Sequence, residues 1–157
     1  MNTIKGINSY KLFFITFVCA AVIFTSCKSS DTQAFETAQL LGSNEAPPVT
    51  TKGSGTVEGN YNTKTKVITL NLKWSLGNPG DTTIMGHIHQ GAVGVSGPVV
   101  IPFTNLPSGS TDQQFNFTSQ PLSAEQEADL MAGSYYVNVH SNTYPGGELR
   151  AQLVLKK

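Results

Sequence analysis

An all-β domain of antiparallel strands, arranged as a sandwich or a barrel, is what this sequence predicts. Three observations carry that expectation. Lys66 to Trp74 alternates cleanly, with Ile68, Leu70, Leu72 and Trp74 on one face and Thr69, Asn71 and Lys73 on the other, which is the period of a half-buried strand. Further short apolar-alternating runs recur along the chain with turn residues between them, the spacing of a sandwich or barrel. Only one segment, beginning at Ser123, departs from that pattern and reads as a helix.

The chain begins with a targeting segment. Lys5 and Lys11 supply positive charge, and Leu12 to Phe24 form an apolar run. A membrane span needs roughly 20 apolar residues, so this shorter run reads as the apolar part of a signal peptide covering residues 1–26. Phe24-Thr25-Ser26-Cys27 resembles a bacterial lipobox, with Phe where Leu is usual. Cys27 is therefore the expected lipidation site, and residues 27–34, mostly polar, read as a tether to a domain over 35–157.

The expected strands are Phe35–Leu41, Gly53–Tyr61, Lys66–Trp74, Thr82–His89, Pro98–Thr104, Gln113–Thr118, Tyr135–Ser141 and Glu148–Leu155. Asn62-Thr63-Lys64-Thr65 is a hairpin turn, and Gly77-Asn78-Pro79-Gly80 marks a loop. Ser123 and Gln126 have the spacing of a capping box. Glu125, Glu127 and Asp129 suit the positive end of a short helix and read as its solvated face, and Gly133 suits its C-terminus. This helix is expected to cross from one sheet to the other.

Ten basic and ten acidic residues balance. Without Lys5 and Lys11 the mature domain carries eight against ten, with no basic cluster, so nothing points to nucleic acid. Cys19 leaves with the signal and Cys27 carries lipid, which leaves the domain no disulfide. Gly91, Gly94 and Gly97 make no phosphate cradle, because a strand and not a helix follows them. No Gly-x-Ser-x-Gly elbow occurs.

The chain holds three histidines. His87 and His89 stand two apart on one strand, so both point to one face, about 7 Å apart along the backbone. His140 ends the Tyr135–Ser141 run, opposite its apolar stripe of Tyr135, Val137 and Val139. Ile84 and Ile88 are expected on the core face of their strand, and Met85 on the histidine face. If the two strands are neighbours the imidazoles meet, as in a three-histidine zinc or copper site. The hairpin Ser141–Gly147 is expected to set Glu148 or Arg150 opposite His140. Glu148 would be a fourth ligand or an outer acceptor, with Glu45 a second carboxylate nearby, while the Arg150 cation opposes an ion. Three readings stand: a polar network satisfying loop backbone, a metal site, or acid–base catalysis. Metal binding would weaken as pH falls through the histidine range near about 6.5.

Three blocks in order resemble the CHRD domain, a family named for chordin and found in many exported microbial proteins. They are Leu41-Gly42-Ser43-Asn44-Glu45-Ala46-Pro47-Pro48-Val49; Gly86-His87-Ile88-His89 with Gly97-Pro98-Val99-Val100; and Tyr136-Val137-Asn138-Val139-His140-Ser141 with Pro145-Gly146-Gly147-Glu148-Leu149-Arg150. The departure is Ala151-Gln152, where the family usually shows Gly-Gln. The resemblance implies a Greek-key, immunoglobulin-like β-sandwich, here of seven to eight strands with one short helix. It supplies no catalytic residues. Copper/zinc superoxide dismutase also carries His-x-His on a sandwich strand, but needs more histidines, an aspartate ligand and a disulfide.

The leading expectation is a non-enzymatic binding or structural module without a cofactor, lipid-anchored at a bacterial membrane and facing the periplasm or the exterior. Its partner would be a protein or another envelope component, met by loops bearing Glu45, Tyr144 and Arg150. The alternative is a zinc- or copper-binding protein using His87, His89 and His140.

Overall fold

The longest hairpin shows how the alternating pattern becomes structure. In the computed structural model, which describes residues 30–157, strand β3 (Ser54–Asn62) pairs antiparallel with β4 (Val67–Ser75) from Ser54↔Ser75 to Asn62↔Val67. Ile68, Leu70, Leu72 and Trp74 are buried, as the alternation requires, together with Val57 and Tyr61 of β3. Each such side chain contributes about 1.5–3 kcal/mol on leaving water.

The remaining elements are β1 (Thr32–Ala34), β2 (Ala38–Leu41), β5 (Thr83–Gln90), β6 (Val99–Pro102), β7 (Asp112–Thr118), helix α1 (Ala124–Met131), β8 (Tyr135–Ser141) and β9 (Leu149–Leu153). The protein is mostly β with one short helix, as expected. Instead of two separate sheets, one antiparallel ladder runs in the order β6-β5-β8-β9-β2-β3-β4-β7, with β1 added beside β3. Its weakest join lies between β2 and β9, at Leu41↔Arg150, with a further bridge at Phe35↔Leu155. The sheet curls about this seam so that its two halves face each other. Phe103, just after β6, packs on Phe117 of β7 with ring centroids 4.7 Å apart. The Trp74 indole N–H donates to the Thr83 hydroxyl at 2.8 Å, linking β4 to β5 across the interior.

Three expectations need correction. The stretch read as a tether ends in strand β1, whose Thr32–Ala34 pair with Asn62–Asn60. Ile84 is 40% exposed and outside the core, because a bulge between Thr83 and Met85 shifts the alternation of β5 by one residue. The acidic residues of α1 are not simply solvated. Glu127 accepts from the Tyr61 hydroxyl at 2.7 Å and pairs with Lys66 at 2.6 Å, and Asp129 accepts from the Gln90 amide at 2.7 Å. These contacts fasten the helix to β3, to the β3–β4 turn and to β5, while Leu130 fills the core beneath it. The helix keeps its predicted ends, with the Ser123–Gln126 capping box formed and Gly133 at φ +69°. The signal-like run and Cys27 lie outside the described residues. Among the described residues no helix is long and apolar enough to cross a membrane.

Candidate metal centre

Strands β5 and β8 are hydrogen-bonded neighbours, which settles whether the histidines meet. Their register sets Met85 opposite His140, His87 opposite Asn138 and His89 opposite Tyr136. Residues directly opposed across an antiparallel pair share a face, so these six side chains stand on the face away from the apolar core. That face is itself covered. Tyr136, Asn138 and His140 are buried beneath the 42–48, 91–97 and 144–147 connections.

One ring nitrogen from each of His87, His89 and His140 lies within 4.8 Å of the others. His89 Nδ1 is 2.9 Å from the Gly97 carbonyl, and His140 Nδ1 is 2.9 Å from the Pro145 carbonyl. A carbonyl only accepts, so both Nδ1 atoms carry the proton and both Nε2 atoms present a lone pair. His140 Nε2 sits 3.2 Å from His87 Nδ1. Two ligands of a tetrahedral zinc ion, each about 2.0–2.1 Å from it, stand about 3.3 Å apart. His89 Nε2 is buried and has no hydrogen-bond partner. Burial first, then the neighbouring His140 and His89, push the His87 pKa down to about 4. Burial also lowers that of His140, against the Pro145 bond. Both rings are thus neutral at physiological pH, the form that ligates metal.

The polar residues around them do other work. The His89 ring stacks on Tyr136, centroids 4.9 Å apart, and the Tyr136 hydroxyl accepts from the Gly97 N–H at 3.2 Å. The Arg150 guanidinium carbon lies 3.5 Å from the Tyr136 ring centre. Its Nη2 donates to the carbonyls of Ala92 and Val95 at 2.8 and 3.0 Å. Arg150 is only 2% exposed, so it anchors the 91–97 loop instead of offering a surface contact. Glu45 is buried and takes both hydrogen bonds of the Asn138 amide, at 2.9 and 3.0 Å. Burial pushes its carboxyl up to about 7, against the pull of Arg150.

Glu148 does not join the histidines. The β8–β9 ladder ends at Val139↔Leu149, one pair short of His140; the Glu148 N–H donates to the Val139 carbonyl, and Gly147 before it takes φ +127°. Its Oε1 accepts from the Thr51 hydroxyl at 2.6 Å and the Gly77 N–H at 2.8 Å. Gly147 is required there: a Cβ would stand 2.5 Å from the Asn138 amide nitrogen and 2.9 Å from Glu45 Oε1. Tyr144 is half-buried and ties its loop to the Thr50 carbonyl at 2.8 Å.

Compared with protein families, residues 37–153 match the model of the CHRD domain. The chain belongs to the CHRD family. Neither the curated proteins nor the solved structures compared with it give a significant match. The matched segment of this CHRD domain contains all three histidines, Glu45, Tyr136, Asn138 and Arg150. Beside them the CHRD domain has a cleft of about 750 Å³, lined by Glu45, Pro47, Pro48, Val93, Val95 and Arg150 among others. Sequence reasoning passed over Tyr136 and Asn138 as partners. Their alternation with His140 was the available signal. The carbonyls of Gly97 and Pro145, which orient the imidazoles, left no signal in residue type.

Proposed function

We propose that this CHRD domain is a non-enzymatic binding module whose ligand is a metal ion, zinc or copper, held by His87, His89 and His140. One observation carries the reading. Two of the three imidazoles have their Nδ1 protons committed to loop carbonyls, so their Nε2 lone pairs face the cluster, and His89 Nε2 is left buried without a partner. Ligating histidines commonly donate their other N–H to a carbonyl, which is the arrangement His89 makes with Gly97 and His140 with Pro145. Among the described residues the cluster is made of His87, His89 and His140 with no cysteine or carboxylate in it, which favours binding over paired-carboxylate or thiol chemistry.

Elemental analysis of the purified protein, paired with His89→Ala, tests this. Near-stoichiometric zinc or copper and a rise in Tm on loading are expected, with both lost in the variant. Protein that melts identically with and without either metal leaves the histidines as hydrogen-bonders.

A second reading, contact with an envelope protein, is favoured by Val93 and Val95, exposed on the rim of the cleft beside Pro47 and Pro48. Anchoring by lipid on Cys27 rests on the Phe24–Cys27 motif, and places the domain at a bacterial membrane, facing the periplasm or the exterior. Cys27→Ser should release the protein or leave its precursor uncut. We further read the curled sheet as a Greek-key, immunoglobulin-like sandwich whose layers stay joined. Support comes from the β4–β5, β6–β7 and β7–β8 connections, each of which passes between the two halves of the ladder.

A further inference from the structure

We propose that the three-histidine site is a copper(I) site in which Met85 supplies a fourth, thioether ligand. The inference rests on metal binding at His87, His89 and His140 and adds the identity of the ion. Met85 lies opposite His140 in the β5–β8 register, and opposed residues on one face have Cβ atoms about 4.5–5.5 Å apart. Its flexible side chain easily spans that gap. The bulge between Thr83 and Met85 is what puts it there. Thr83 is buried in the core, and regular alternation from Thr83 would send Met85 inward as well. The extra residue turns Met85 to the histidine face, where it is 42% exposed and outside the core cluster. Bulges beside functional sites re-aim side chains in this way.

The chemistry of the donor set selects the ion. A thioether is soft and neutral, a good ligand for copper(I), and it is not among the Cys, His and carboxylate donors that zinc sites use. The neighbouring carboxylates are committed elsewhere, Glu45 to Asn138 and Glu148 to Thr51 and Gly77. Three imidazoles and a thioether therefore bring no negative charge to the ion. The buried Arg150 cation lies against Tyr136, the ring that stacks on His89. A monovalent ion in this setting suffers half the Coulomb repulsion of a divalent one.

The test uses the full chain with its cysteines blocked by N-ethylmaleimide, as wild type, Met85→Leu and His89→Ala. Copper(I) is titrated anaerobically against a chromophoric chelator, zinc against an indicator, and the copper-loaded proteins are compared by X-ray absorption. Wild type should show a sulfur neighbour at about 2.3 Å, the usual metal–sulfur distance. Met85→Leu should lose it and weaken copper(I) binding by roughly tenfold or more, at least the cost of an outer-shell partner, with zinc affinity and metal-free Tm unchanged. If Met85→Leu keeps its copper(I) affinity and shows no sulfur change while His89→Ala abolishes binding, Met85 is not a ligand and the histidine site stands. If neither metal binds wild type above His89→Ala, the metal reading itself falls, and this proposal with it.

Discussion

Tyr136 lies flat against His89, the two ring planes 10° apart, and the Arg150 guanidinium covers the same tyrosine from the neighbouring strand. Because Tyr136 stands on β8 between β5 and β9, it couples the histidine cluster to the arginine that anchors the 91–97 loop. Its hydroxyl reaches that loop too, at the Gly97 N–H.

Substitution of Tyr136 should separate these roles. Tyr136→Phe keeps the ring and loses one hydrogen bond, for a cost of about 1 kcal/mol. Tyr136→Leu loses the stacking and cation–π contacts as well, for about 2–4 kcal/mol in total. Urea unfolding monitored by circular dichroism reads both. Equal losses in the two variants would mean that the ring contacts contribute nothing.

Thr83→Val should destabilise the domain by about 1–3 kcal/mol, since it is isosteric yet leaves the buried Trp74 N–H without an acceptor. Trp74 is the only tryptophan, so its fluorescence reports the site directly. A variant with wild-type stability and an unshifted spectrum would show that the bond does not hold the halves of the sheet together.

Much of the fold was legible because alternation and turn chemistry act locally. Lys66–Trp74, Tyr135–Ser141 and the Ser123 capping box correspond closely to β4, β8 and the start of α1. What escaped depends on partners distant in sequence. The bulge at Thr83–Met85 exists only because β5 pairs with β8, so Ile84 could not be placed from its own neighbours. Strand β1 is polar and forms only because β3 offers it an edge. At the site, the convergence of His87, His89 and His140 was readable once β5 and β8 were taken as neighbours. The fate of Glu148 was not, because Thr51 and Gly77 capture it from elements remote in the chain.

Glu45 should give the stability a pH dependence that Glu45→Gln removes. Its folded pKa is raised to about 7 from an ordinary 4.5. The stability contributed by the protonated carboxyl is therefore fully present below pH 4.5 and is lost as pH rises through about 7. Gln keeps an acceptor for Asn138 without the charge. His87 and His140 are common to both proteins, so their own dependence cancels in the difference. The variant should match wild type near pH 4.5 and exceed it by on the order of 2–3 kcal/mol at pH 8. Chemical denaturation of metal-free protein across this range is the measurement, and a constant difference would reject a buried titrating Glu45.

Metal loading should tighten two loops at once. Ligation at Nε2 withdraws electron density from the imidazole and makes its Nδ1–H a stronger donor. In His89 that proton goes to the Gly97 carbonyl, and in His140 to the Pro145 carbonyl. Gly97 N–H is in turn held by Tyr136, and Gly147 N–H by the Tyr144 carbonyl, so both loops carry amides that report the change. Hydrogen exchange by mass spectrometry should show slower exchange over residues 91–97 and 144–147 on loading, with the β3–β4 hairpin far less affected. His140→Ala removes a ligand as well as the donor to Pro145, so it should abolish the response of both loops. Protection spread evenly over the whole domain would instead mean that metal raises global stability without acting through these two bonds.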